Sequence, residues 1–211
     1  MDYPPNTLLK DQQESLTHFL ANEVLLNKLY VGDTYSSRTL VEIHDPFGIV
    51  LLSVKHIACL PSCKGIFQKV LGWIWKSSYS IKSSNSELFS SGYIQIKDSS
   101  NHFENISVFS ESCEKILSLD PQGYSCDTSI SGKGFHGFYF LNPDNKICSS
   151  IFDDRLNCKL YLSPEEDVPK FMVRKRVIYA DKNLSSLEMT CLTLVALLPE
   201  ISFRLMTGGE G

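Results

Sequence analysis

Ten residues near the carboxyl end, Met189-Thr190-Cys191-Leu192-Thr193-Leu194-Val195-Ala196-Leu197-Leu198, are apolar on nearly every side of a helix. Ser185-Ser186-Leu187-Glu188 just before them has the capping-box pattern, in which the serine side chain accepts from the amide of Glu188 and the glutamate reaches back. A helix that is apolar all round has to be enclosed by protein or by lipid. Over 186–198 it is about 20 Å long at 1.5 Å per residue, short of the roughly 30 Å of a hydrocarbon core. Its continuation through Ile201, Phe203, Leu205 and Met206 is broken by Pro199, Glu200 and Arg204. The sequence therefore favours a helix wrapped in protein over a membrane span.

The wrapping reads as β structure. Thr39 to Ile43 and Ile49 to Val54 are β-rich runs around Asp45-Pro46-Phe47-Gly48, the residue order of a type I turn, in which proline presets φ and the aspartate caps the turn's amides. Asp120-Pro121-Gln122-Gly123 repeats the device, and Asn142-Pro143-Asp144-Asn145 is related to it. Gly92 to Lys97 alternates at period two. So do Leu156, Cys158, Leu160 and Leu162 against Asn157, Lys159, Tyr161 and Ser163. Strands joined by turns without intervening helices predict an antiparallel barrel or sandwich. Residues 1–38, with Pro4-Pro5 and a broken apolar pattern, read as a partly helical lead-in packed on a domain over 39–211.

A chain of 211 residues, 43% hydrophobic, fits one large β domain. The net charge of -4 argues against a nucleic-acid partner, which calls for a basic face. Asp2, Lys10, Asp11 and Glu14 interrupt any apolar run of signal-peptide type, and seven cysteines are an odd number, so the expected setting is a reducing cytoplasm.

Pro4-Pro5-Asn6-Thr7-Leu8-Leu9, the run from Val41 to Val50, and Ala180-Asp181-Lys182-Asn183 with the apolar helix behind it together resemble the two ends of the phospholipid scramblase domain. That family belongs to the tubby-like C-terminal superfamily. It opens with Pro-Pro-Gly and a leucine-rich stretch, follows with a Tyr-Glu-Ile-x-Asn-x-x-Gly-Gln type of run, and closes with an acidic turn and an apolar helix. The resemblance implies a mostly β fold, a closed antiparallel β-barrel around the buried C-terminal helix at about 186–198. It implies non-enzymatic binding or translocation of phospholipids at the cytoplasmic face of a membrane. It also implies calcium, for which Asp181, Asn183 and Glu188 are the candidate ligands, although calcium takes six to eight oxygens and this segment has few carboxylates. Cys59 and Cys63 stand nearest to the family's palmitoylated cysteines.

Two segments carry the residue types that meet lipid. Between Pro61 and Lys76, Ile66, Phe67, Val70, Leu71 and Ile74 share a helical face, with Lys69, Trp73, Trp75 and Lys76 beside it. Cationic, tryptophan-bearing helices settle at lipid interfaces, and the same face equally suits packing on the barrel. Arg174-Lys175-Arg176 is the densest basic cluster, suited to the phosphates of anionic lipids or to a solvated strand face. His56, Cys59 and Cys63 are zinc-type ligands without the second half of a four-ligand site. None of the five histidines stands in a nucleophile motif, so binding is expected rather than catalysis. The competing expectation from another class is a soluble interaction module that holds a protein partner with the same barrel.

Overall fold

Residues 189–198 can be apolar on every side because strands surround them. The structure, a computed structural model, describes residues 7–32, 39–57, 60–61, 76–99, 102–119, 125–165 and 176–198. In chain order these form α1 (Lys10–Ala21), β1 (Leu26–Gly32), β2 (Thr39–His44), β3 (Val50–Ile57), β4 (Lys76–Ser83), β5 (Gly92–Ser99) and β6 (His102–Ser110). They continue with β7 (Lys115–Leu119), β8 (Ser125–Ile130), β9 (Lys133–Leu141), β10 (Ile147–Asp153), β11 (Cys158–Glu165), β12 (Arg176–Asp181) and α2 (Ser186–Ala196).

All twelve strands belong to one antiparallel sheet, ordered β7-β6-β5-β4-β3-β2-β1-β12-β11-β10-β9-β8. Apart from β7 and β8, neighbours in sequence are thus neighbours in the sheet, and β1 pairs with β12 in the register Leu26↔Asp181 to Val31↔Arg176. The two end strands, β7 and β8, lie against each other, which brings the sheet round into a nearly closed barrel.

One core fills it. Leu29, Ile43, Leu52, Ile81, Ile94, Ile96, Val108, Leu160, Leu162 and Ile178 face inward and pack with Met189, Cys191, Leu192 and the run from Leu194 to Leu198. Each fully buried Leu or Ile contributes about 1.5–3 kcal/mol, so α2 is stabilised by its sheath rather than by its own propensity. The helix is pinned at both ends. Ser185 accepts from Glu188 as the capping box requires, Thr190 exchanges hydrogen bonds with Ser90 in the β4–β5 loop, and the buried Tyr139 hydroxyl donates to the Val195 carbonyl at 2.6 Å.

The lead-in divides. α1 lies on the outer wall, where Leu8, Leu16, Phe19 and Leu20 meet Phe138, Phe140, Cys148, Phe152 and Cys158 in a second apolar cluster. The chain then enters the barrel at Leu26, ahead of the boundary at 38 that the sequence suggests. In β1 both Tyr30 and its neighbours Leu29 and Val31 are buried, which erases the alternation that marks a half-buried strand.

Four hairpins share one turn design. In each, residue i accepts from the amide of i+3, and its own amide donates to the carbonyl of i+4; the first residues are Asp45, Ser110, Asn142 and Asp153. The side-chain oxygen of that residue accepts the i+4 amide, and in the Asx turns the i+2 amide as well. The i+3 residue is left-handed in all four: Gly48, Cys113, Asn145 and Leu156. Glycine fits that conformation freely and leucine does not. Leu156→Gly should therefore stabilise the chain by about 1 kcal/mol, read as a higher urea midpoint; an unchanged or lower midpoint would contradict the turn geometry.

Candidate functional site

Since every strand opposes its neighbours, the turns alternate between the two ends of the barrel. One end gathers the α1–β1 junction, the β2–β3, β4–β5, β6–β7, β8–β9 and β10–β11 turns, and the β12–α2 turn. At this end a cleft of ≈570 Å³ opens between the β8–β9, β10–β11 and β12–α2 turns. Lys133, Arg155 and Lys159 line it, together with Asp153, Asp154, Asp181, Glu188, Asn157 and Asn183.

Lys159 reaches the cleft because of a bulge. Ile151 pairs with Leu160 and Phe152 with Cys158, which leaves Lys159 as the extra residue of β11. A bulge re-aims a side chain. The alternation expected across Cys158, Leu160 and Leu162 is corrected at this point: Cys158 packs in the outer cluster, Leu160 and Leu162 in the core. The Lys159 ammonium sits 3.1 Å from Asp181 Oδ2 and 3.7 Å from Asp153 Oδ2. Lys133, from the start of β9, donates to Glu188 Oε1 at 2.7 Å, while Glu188 Oε2 accepts from the amide and hydroxyl of Ser185.

These pairs hold the carboxylates ionised. Burial pushes all three acids up, but it is outweighed. The Asn183 amide and Lys159 bring Asp181 below the usual carboxylate range, the Asn157 groups and the Arg155 amide do so for Asp153, and Lys133 and Ser185 for Glu188. Groups depressed in this way contribute stability above their unfolded pKa values near 4 and lose it as pH falls through the folded ones. Lys159→Met, which leaves Asp153 and Asp181 without the cation they share, should cost about 2 kcal/mol at pH 7. The difference from wild type should narrow as the carboxylates protonate. Urea titrations at pH 7 and pH 3.5 check this, and a deficit that stays constant with pH would contradict it.

Beside the cleft, His136 places Nδ1 2.9 Å from Asp127 and Nε2 3.2 Å from Asp154. A neutral imidazole donates from one nitrogen only. The hydrogen bond to Asp127 raises its pKa most, burial opposes it, and Asp154 adds to the rise, which prevails.

The three calcium candidates thus line one cleft, but as arranged they do not suit a calcium ion. Asp181 and Glu188 are each bonded to an ammonium, and the Asn183 side chain donates to Asp181. Among the described residues no three His, Cys, Asp or Glu side chains converge as metal ligands. His56, the first zinc-type residue, packs edge-on against Tyr79. Cys59, Cys63, Lys69, Trp73, Trp75, Arg174 and Lys175 lie outside the described residues. Lys76 and Arg176 begin β4 and β12, so the chain enters both strands at the end of the barrel opposite the cleft. Arg176 donates from Nε to the Ser163 carbonyl and from Nη2 to that of Ile147, a structural use of the guanidinium that the sequence did not suggest.

Asp153 and Lys159 carry no site motif in the sequence, and Gly132-Lys133-Gly134-Phe135, similar to a glycine loop, runs from strand to strand without the helix N-terminus that would hold phosphate. The only local signals were the Asp153-Asp154 pair closing a strand and a lysine within an apolar alternation. The carboxylates that Lys159 and Lys133 bond lie 22 and 55 residues away in the chain. No family model, no curated protein and no solved structure matches this chain.

Proposed function

We propose that the chain is a scramblase-like, non-enzymatic protein that binds phospholipid at a membrane surface and meets it with the outside and the rim of its barrel. The observation that carries this reading is the use of the interior. α2 fills it, with residues 188–198 buried, so lipid or headgroup has to be met from outside. The sequence resemblance to scramblases, at both ends of the domain, supplies the class of ligand. The rim cleft suits it: Lys133, Arg155 and Lys159 stand beside four carboxylates, a pairing of signs that matches the phosphate and amine of a zwitterionic headgroup. Three of these, Asp153, Asp181 and Glu188, are held ionised and serve as acceptors rather than as general acids. Among the described residues no helix is long and apolar enough to cross a membrane.

Flotation of the full chain with phospholipid vesicles tests the proposal. The protein is expected to rise with vesicles of phosphatidylcholine, alone or with phosphatidylserine. Protein that stays at the bottom of the gradient with both would overturn the reading in favour of an interaction module for a protein partner.

A further inference from the structure

The β2–β3 turn ends in apolar side chains where polar ones are usual. Phe47 is 83% exposed and Ile49 61%. On the next strand of the barrel, the junction leading into β1 exposes Val24 (84%) and Leu25 (56%). Both loops project from the cleft-bearing end. Going round that rim, the order is Phe47 and Ile49, then Val24 and Leu25, then the β12–α2 turn and the cleft. Lys182 joins the last two, its ammonium donating to the Val24 carbonyl at 2.8 Å and its amide to the Leu25 carbonyl at 3.0 Å.

These tips carry little backbone polarity to desolvate. In the β2–β3 turn, Pro46 has no N–H, the amides of Phe47 and Ile49 both donate to Asp45 Oδ1 at 2.8 Å, and that of Gly48 donates to the Asp45 carbonyl. A loop whose donors are satisfied internally enters a low-polarity layer without the several kcal/mol that each unpaired group costs. Four side chains on two narrow loops also cannot supply the roughly 1,200–2,000 Å² of a stable protein interface, whereas interfacial binding to lipid grows with each apolar side chain that enters.

Resting on the phospholipid-binding reading above, we propose that this end of the barrel is its lipid-contacting face. Val24, Leu25, Phe47 and Ile49 enter the interface of a zwitterionic bilayer, and the charged cleft beside them is held at headgroup depth. The charges select the zwitterionic surface. In and beside the cleft, Lys133, Arg155, Lys159 and Lys182 are matched in number by Asp153, Asp154, Asp181 and Glu188, and Glu23 and Asp45 next to the apolar tips add only negative charge, so the face has no net attraction for an anionic membrane.

The test is flotation of full-length protein on vesicles of phosphatidylcholine, alone and with phosphatidylserine, at low and high salt. The variants are Val24→Asp/Phe47→Asp, the uncharged pair Val24→Ser/Phe47→Ser, and Lys146→Glu at the opposite end as a control. The substituted side chains are all exposed, and thermal melts check that the variants stay folded. Wild type and Lys146→Glu should bind alike with little salt dependence, and both rim pairs should lose at least tenfold in vesicle partitioning. Rim variants that bind like wild type would sink this proposal and leave the lipid-binding reading standing. So would binding that requires phosphatidylserine and is lost on Arg174→Glu/Lys175→Glu instead. A wild-type chain that floats with neither vesicle would sink both.

Discussion

Leu192→Asp is expected to leave the chain unable to form its barrel. Leu192 is fully buried in the core that α2 shares with the strands. Removing its side chain from that site forfeits about 2–5 kcal/mol even when alanine replaces it. An aspartate adds an unpaired carboxylate inside the sheath, a burden of at least about 3–5 kcal/mol. The sum rivals the 5–15 kcal/mol that holds a typical domain together. Circular dichroism and size-exclusion chromatography should show an unfolded or aggregated product, and Leu192→Ala a folded chain about 3 kcal/mol less stable. An aspartate variant that melts cooperatively near the wild-type temperature would mean that Leu192 is not enclosed.

The second large effect concerns Gly137 on β9, where the barrel wall and the helix approach most closely among the described glycines that face α2. A Cβ there would lie 2.9 Å from Val195 Cγ1 and 3.3 Å from the Cys126 carbonyl. Real Cβ contacts are longer, so Gly137→Ala forces either the wall or the helix to move, at a cost of about 2 kcal/mol. Because most of the clash is with one methyl of Val195, the two positions should couple. Gly137→Ala/Val195→Ala is expected to be more stable than the sum of the single variants by at least about 1 kcal/mol. Strict additivity in urea titrations would show that residue 137 does not face the helix.

Much of this architecture was legible because local chemistry and global fold agree. The capping box at Ser185 and Glu188 forms as written, and the all-round apolar run finds the enclosure it demands. The turns at Asp45 and Asn142 announce themselves through proline and an Asx cap. The matching turns at Ser110 and Asp153 do not, because their left-handed residues are Cys113 and Leu156 rather than glycine. β1 was hidden by burial on both faces. The cleft was half visible: Asp181, Asn183 and Glu188 do come together, but the lysines that neutralise them arrive from β9 and from a bulge in β11, and pairing across strands leaves no trace in local spacing. The exposed Phe47 was in plain view within a turn motif read only for its backbone. The pairing of β1 with β2 is what brings it to the same end as Val24 and Leu25.

In this account the apolar helix stays sheathed while the rim meets lipid, so membrane contact leaves the core closed. Cys191, on α2, reports on this directly: it is fully buried, and burial pushes its thiol up to about 12. Peptide-resolved alkylation, run on the full-length protein free and bound to phosphatidylcholine vesicles, compares it with the partly exposed Cys113 in the β6–β7 turn. Cys191 is predicted to react only as fast as the whole chain unfolds in both states, while Cys113 reacts from the native fold. Rapid modification of Cys191 once the protein is on the membrane would contradict this picture, because the helix would then have left its barrel to enter the bilayer.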